Sequence, residues 1–166
     1  SIVARCFCTR GRSWQRACRL IGVDLKLVIC ACPCRGSETI MKVLIAVHHF
    51  PPTFRGGAEW RAYRTACGLR RAGHQVQVVC VESITSGDGK SLQHDDTVYE
   101  DIPVHRLSFN LDRVPEPLRW HYRNPLVGQY VSDLMKTFRP HILHLISGYL
   151  MTGSVIEAAQ ALGVPT

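Results

Sequence analysis

At 166 residues, 46% hydrophobic and 20% charged, the chain has room for one domain with a real core; it carries no internal repeat and reads as a soluble globular protein. Its formal net charge of +7 suggests nucleic acid or a membrane only until it is located. Residues 1–40 hold seven basic and two acidic residues, so +5 of the +7 lies there, the rest of the chain is close to neutral, and no nucleic-acid partner is expected for it.

Cysteine is distributed in the same way. Cys6, Cys8, Cys18, Cys30, Cys32 and Cys34 fall in the first 40 residues, and only Cys67 and Cys80 lie beyond. The Cys30-x-Cys32-x-Cys34 spacing lacks the paired knuckles of structural zinc sites, so no metal is expected. "LKLVICACPC" has too short an apolar core for a secretory signal, and Asp24 and Lys26 interrupt what precedes it. The first methionine is Met41, at the start of a clean strand. Residues 1–40 are therefore read as a Cys/Arg-rich leader, disordered or upstream of the true start, and residues 41–166 as the domain. Cys67 and Cys80 fall in a predicted helix and a predicted strand as small apolar fillers. Without a disulfide framework the domain suits a reducing, cytoplasmic compartment.

From Met41 onward, "KVLIAV" (42–47) is a continuous aliphatic run, the pattern of a parallel strand covered on both faces. A Pro/Gly-rich loop, "HHFPPTFRGG", follows it. Ala58, Ala62, Ala66 and Leu69 then recur at helical spacing with arginines mostly on other faces, and Gly73 is placed to stop the helix. "HQVQVVCVE" (74–82) is a second strand, which completes a βαβ unit. The right-handed crossover puts the 51–57 loop at the carboxyl edge of the sheet, where open α/β sheets bind ligands.

Residues 83–96 are Gly/Ser/Asp-rich and read as a loop. "TVYEDIPVHRLSF" (97–109) holds two short strands around Asp101-Ile102-Pro103. Residues 110–122 are interrupted by proline and irregular, with Trp120 and His121 available to line a surface. Asn124-Pro125 is an N-cap followed by an N1 proline, and an apolar stripe runs from Leu126 to Phe138 before Pro140. "HILHLI" (141–146) is the next strand, and residues 152–163 form a helix with Thr152 or Ser154 as cap and Gly163 as stop. "VPT" starts a further strand, so the chain is expected to continue past Thr166. The order is that of an α/β, Rossmann-like, mostly parallel sheet with helices on both faces, incomplete at its C-terminus.

The chemistry of the first loop is open to two readings. Gly56-Gly57 ahead of a helix gives an anion close access to unpaired backbone N–H groups, with Arg55 adding charge at the rim. The same glycines also serve a sharp strand-to-helix turn. Neither G-x-G-x-x-G nor the phosphate-binding G-x(4)-G-K-[ST] is present. His48 and His49 end the first strand, placed either to hydrogen-bond a sugar hydroxyl or phosphate or to be satisfied by backbone. His144 lies inside an apolar strand, open to a ligand or a core role.

"MKVLIAVHHFPPTFRGGAEWRAYRTACGLRRAGHQVQVVC" resembles the start of family 4, GT-B-fold glycosyltransferases, through Pro51-Pro52, Gly56-Gly57, Glu59, Leu69, Gly73-His74, Val76 and Val78. "IPVHRL" (102–107) and "RPHILHLISGYLMTGSVIEAAQALGVPT" (139–166) are similar to later segments of that family. The resemblance covers about residues 41–166. It implies one half of a two-domain GT-B fold, the acceptor-side half of a retaining enzyme that uses a nucleotide-sugar donor. It also implies that Gly56 and Gly57 steady the leaving diphosphate through backbone N–H groups, that His48, His49, Arg55, Glu59 and His144 line the cleft, and that no cofactor or metal takes part. The acceptor is a glycan, lipid or small molecule, and contact with the inner face of a membrane has no support in the charge. Ile146 stands where the family often has a second histidine, and His141 where it often has aspartate. The donor domain and its paired glutamates would lie beyond Thr166, so this stretch alone is expected to be inactive. The alternatives are a non-catalytic α/β module binding a sugar or nucleotide, and a dinucleotide-dependent oxidoreductase, which lacks its fingerprint.

Overall fold

The computed structural model describes Thr39–Thr166. Residues 1–38, with six cysteines, lie outside the described residues, and so do the leader, zinc and signal readings made of them.

Lys42–Ala46 forms β1, and its ladder runs on past the strand: Val47 N–H donates to Val79 O and Val81 N–H to His48 O. Residues 47–56 lead into helix α1, Gly57–Arg71. Ala62 and Ala66 are its buried stripe, and their small side chains let the helix lie close on the sheet. Glu59 in its first turn and Arg70 and Arg71 in its last complement the helix dipole. The helix stops as expected: Gly73 takes φ +88°, and His74 N–H reaches back to Leu69 O. Strand β2 is Gln75–Ser83.

The stretch after β2 departs from expectation. Gln93–Tyr99 is strand β3, so the loop ends four residues earlier than its composition suggests. β3 is an edge strand, mostly exposed, and its "QHDD" start shows no apolar alternation because most of it faces water. It runs antiparallel to β4, Ile102–Ser108, across a turn in which Glu100 and Asp101 both adopt positive φ. Residues 110–122 contain a 3₁₀ turn, Leu111–Arg113, and a short helix α2, Pro117–Trp120. Helix α3, Pro125–Phe138, opens as expected: the Asn124 side chain accepts from the N–H groups of Leu126 and Val127. Strand β5 is Ile142–Leu145, and helix α4 is Thr152–Ala161. Leu143 N–H donates to Pro165 O, so the terminal "VPT" lies alongside β5.

Among the described residues five strands form one sheet in the order β3-β4-β2-β1-β5, with β4, β2, β1 and β5 mutually parallel. Counting only the parallel strands, the order is 3-2-1-4, that of a Rossmann-like α/β fold with its topological switch between β1 and β5. Each face has its own core. Val43, Ile45, Val47, Phe50, Val78, Cys80 and Val104 pack with Ala62 and Ala66 of α1. Leu44, Ala46, Val79, Val81 and Leu107 pack with Val127, Val131 and Met135 of α3 and Val155 and Ala159 of α4. Burial pushes the Cys80 thiol up to about 12, as befits a filler. No helix among the described residues is long and apolar enough to cross a membrane.

Helices α3 and α4 approach most closely at Gly128, where a Cβ would stand 2.8 Å from Ser154 Cβ. Gly128→Val is expected to push the pair apart and lower stability by about 2 kcal/mol, read as a reduced urea midpoint with an unchanged m-value.

Candidate functional site

Four connections leave the carboxyl edge of the parallel strands: residues 47–56 after β1, residues 84–92 after β2, the stretch after β4, and residues 146–151 after β5. The first and last diverge at the switch point, the place where open α/β sheets form a ligand crevice.

The β1 loop is held from below by Arg106. This guanidinium is only 8% exposed, on the α1 face of β4. Its Nη2 donates to Pro51 O at 2.6 Å and its Nη1 to Glu82 Oε2 at 2.8 Å and Phe50 O at 3.5 Å, while Nε donates to Thr97 Oγ1 at 3.0 Å. One side chain thus ties the loop to β2, β3 and β4. A planar fork with five N–H groups can serve four acceptors at once, which an ammonium cannot do in this geometry. Sequence reasoning passed over Arg106 although a signal was present: it shares a strand face with Ile102 and Val104, where an unpaired charge would not be tolerated.

Both histidines are anchored to the same residue of β2. His48 uses its backbone carbonyl, whereas His49 donates Nδ1–H to Val81 O at 2.7 Å and stacks on Phe54 with ring centroids 3.8 Å apart. His49 is therefore committed to holding the loop. The His48 ring turns the other way, with Nε2 lying 3.0 Å from Glu59 Oε1 and the ring meeting Tyr149 edge-on at 5.7 Å. Burial, partly opposed by Glu59, holds the His48 imidazole below its ordinary pKa.

Glu59 is 6% exposed and sits in the first turn of α1. A Cβ on Gly56 would come within 2.5 Å of its carboxylate oxygen, so the first glycine leaves room for Glu59. Gly57 differs. It is exposed, and a Cβ there would meet nothing within 4 Å, so no neighbour requires a glycine at this position. Arg55 is exposed and its Nε reaches Pro52 O at 3.4 Å. The structure thus brings His48, His49, Arg55, Gly56, Gly57 and Glu59 together on one loop and helix start. His144 stands apart, beside Ile45 on strand β5, and among the described residues no hydrogen bond joins it to the loop.

The far wall of the crevice is aromatic and strained. Tyr149, 58% exposed, packs on His48 on one side and stacks with His121 at 6.5 Å on the other. Leu150 and Thr152 take φ +59° and +62°, a region that non-glycine residues rarely occupy and β-branched ones hardly ever do. The Thr152 hydroxyl accepts from Ser154 N–H at 3.3 Å and Asn124 N–H at 3.5 Å, but the N-cap position of α4 falls on Met151, without a side-chain cap, and not on Thr152 or Ser154 as expected. Such strain concentrates at binding loops. His141, where aspartate was expected, supplies an equivalent acceptor by taking the Lys42 N–H on Nδ1 at 2.8 Å.

Elsewhere a groove of about 550 Å³ runs between the starts of α3 and α4, beside Trp120. Its two arginines are already paired, Arg119 with Glu116 and Arg123 with Glu157. Among the described residues no three His, Cys, Asp or Glu side chains gather as a metal site.

A mostly parallel sheet in the order 3-2-1-4 with a helix-covered core on each face defines the Rossmann-like α/β class. The model of the glycosyl transferase 4-like domain matches residues 56–166, and the chain belongs to that family of glycosyltransferases. No curated protein matches the chain.

Two measurements probe this construction. Arg106→Leu strands Glu82 and two loop carbonyls and is expected to cost about 3 kcal/mol, with faster amide exchange over residues 50–57 than over β1. The lowered His48 pKa means that the unfolded chain, with an ordinary value of 6.5, binds the proton first. Wild type should therefore lose stability relative to His48→Gln as pH falls through about 6.5 towards the lower folded value, and the two should keep a constant difference above it, followed as paired melting temperatures.

Proposed function

We propose that the described domain is the acceptor-side half of a retaining glycosyltransferase that moves a sugar from a nucleotide-sugar donor. The observation that carries this reading is the exposed, uncrowded start of α1 at Gly57, on the loop that leaves β1 at the switch point and sets His48 against Tyr149. On this reading a second α/β domain, in the paired-glutamate GT-B arrangement, holds the nucleotide and closes over the edge. The donor diphosphate then approaches the Gly57 amide, which stabilises charge as the sugar leaves. The acceptor lies in the crevice between the β1 and β5 loops. No metal or cofactor enters; the nucleotide sugar is a substrate. The domain works in the cytoplasm, and a lipid acceptor would bring it to the inner membrane face.

One observation favours a second reading. Glu59 already places a carboxylate over the first turn of α1, where an anion would gather, and His48 is bound to it. A non-catalytic domain that binds sugar through the crevice alone would have the same arrangement.

The test is made on the enzyme expressed from a coding sequence that includes the second domain. Gly57→Val is expected to lower turnover roughly a hundredfold, measured as release of nucleoside diphosphate, while the melting temperature holds because the new side chain meets no neighbour. Undiminished turnover would remove Gly57 from the site. A coding sequence without a second α/β unit would favour the binding module.

A further inference from the structure

The two nitrogens of His48 are placed in opposite circumstances. Nε2 faces Glu59 Oε1 at 3.0 Å. A carboxylate oxygen accepts, so Nε2 is the donor in this contact and carries the proton. Burial favours the neutral ring by holding its pKa below the ordinary value. Nδ1 is therefore a bare lone pair. It is buried, and it has no hydrogen-bond partner among the described residues.

A buried acceptor without a donor costs about 1–3 kcal/mol, and such atoms in folded proteins call for an explanation. Here the position offers one. His48 follows β1 at the switch point, between the rings of His49 at 5.1 Å and Tyr149 at 5.7 Å, and Tyr149 belongs to the exposed stretch Gly148-Tyr149, on the solvent side of the pair. The Glu59–Nε2 bond fixes the tautomer from behind, and Gly56 makes room for Glu59 to do so. His49 cannot substitute, because its Nδ1–H is spent on Val81 O.

What can pair with Nδ1 follows from its chemistry. It needs a donor. An ionised phosphate or diphosphate offers oxygens that only accept, whereas a sugar offers hydroxyls that donate. We infer that His48 Nδ1 is the hydrogen-bond acceptor for a hydroxyl of the sugar-bearing acceptor substrate, with Glu59 as the positioning residue that sets its tautomer. This rests on reading the crevice as the acceptor side. It divides the edge in two: Gly57 for the anionic donor, His48 for a neutral polyol.

The test uses the full chain, uniformly labelled with nitrogen-15, titrated with methyl glycosides of glucose, galactose and mannose and, separately, with inorganic pyrophosphate. The free protein is expected to show His48 as the Nε2–H tautomer. At least one glycoside should shift the Nδ1 resonance saturably, while pyrophosphate should shift the Gly57 amide and leave Nδ1 unmoved. His48→Gln, whose amide N–H can still reach Glu59 but which leaves nothing at Nδ1, should melt no lower than wild type at neutral pH, having lost an orphaned acceptor, and bind the glycoside about tenfold more weakly. His48→Asn, which puts an amide oxygen near the Nδ1 position, should recover part of that loss. An Nδ1–H tautomer, a response of Nδ1 to pyrophosphate, no response to any glycoside, or unchanged glycoside binding by His48→Gln would each overturn the assignment. Glycoside binding that ignores His48 leaves the crevice as a sugar site and defeats only this inference. A Gly57 amide indifferent to pyrophosphate defeats the donor-loop reading and leaves His48 to be judged on the glycosides.

Discussion

The candidate site depends on one buried cation. A loop that leaves a strand through two prolines and two glycines has few backbone hydrogen bonds of its own, and its carbonyls would otherwise point into the protein without partners. Arg106 answers several of these needs from the strand two places away in the sheet. Its charge is offset by Glu82 and its third direction is taken by Thr97. Because all of these contacts converge on one rigid group, the loop's position is tied to the register of β2, β3 and β4. The placement of Gly57 and His48 is in this sense a property of the whole sheet.

Charge is handled differently a few ångströms further along. The start of α1 attracts anions, and the protein supplies one itself in Glu59. That carboxylate in turn orders His48, so the partial charge of a helix end is passed on as a choice of proton position on an imidazole ring. The arrangement needs Gly56 for space, whereas Gly57 is free of any internal requirement. Two adjacent glycines that look alike in sequence thus stand in different surroundings, one against a buried carboxylate and one in open space.

Much of the scaffold was legible beforehand because its signals are local. The aliphatic run of β1, the Asn124-Pro125 start of α3, the Gly73 stop of α1 and the Ala62/Ala66 stripe each follow from backbone preference or spacing within a few residues. What escaped was non-local. β3 has no apolar rhythm because most of it faces solvent, and only pairing with β4 makes it a strand. Arg106 stood within a motif already singled out, yet its partners lie 55 and 24 residues away. The difference between Gly56 and Gly57 depends on where the Glu59 side chain turns, which no spacing encodes. His48 and His49 were recognised as a pair, and only their ring contacts separate them, His48 on the Glu59 side chain and His49 on the Val81 carbonyl.

The polar character of β3 has a consequence for the molecule's life in a crowded solution. A sheet edge is a template on which any extended chain can add itself, and the usual protections are charge, twist and cover. β3 presents Gln93, His94, Asp95 and Asp96 as exposed residues along that edge, with Asp96 held to His105 at 2.7 Å. A stray strand docking there would have to bury these groups. The stretch that looked least like structure in the sequence is what keeps the sheet from growing on that side.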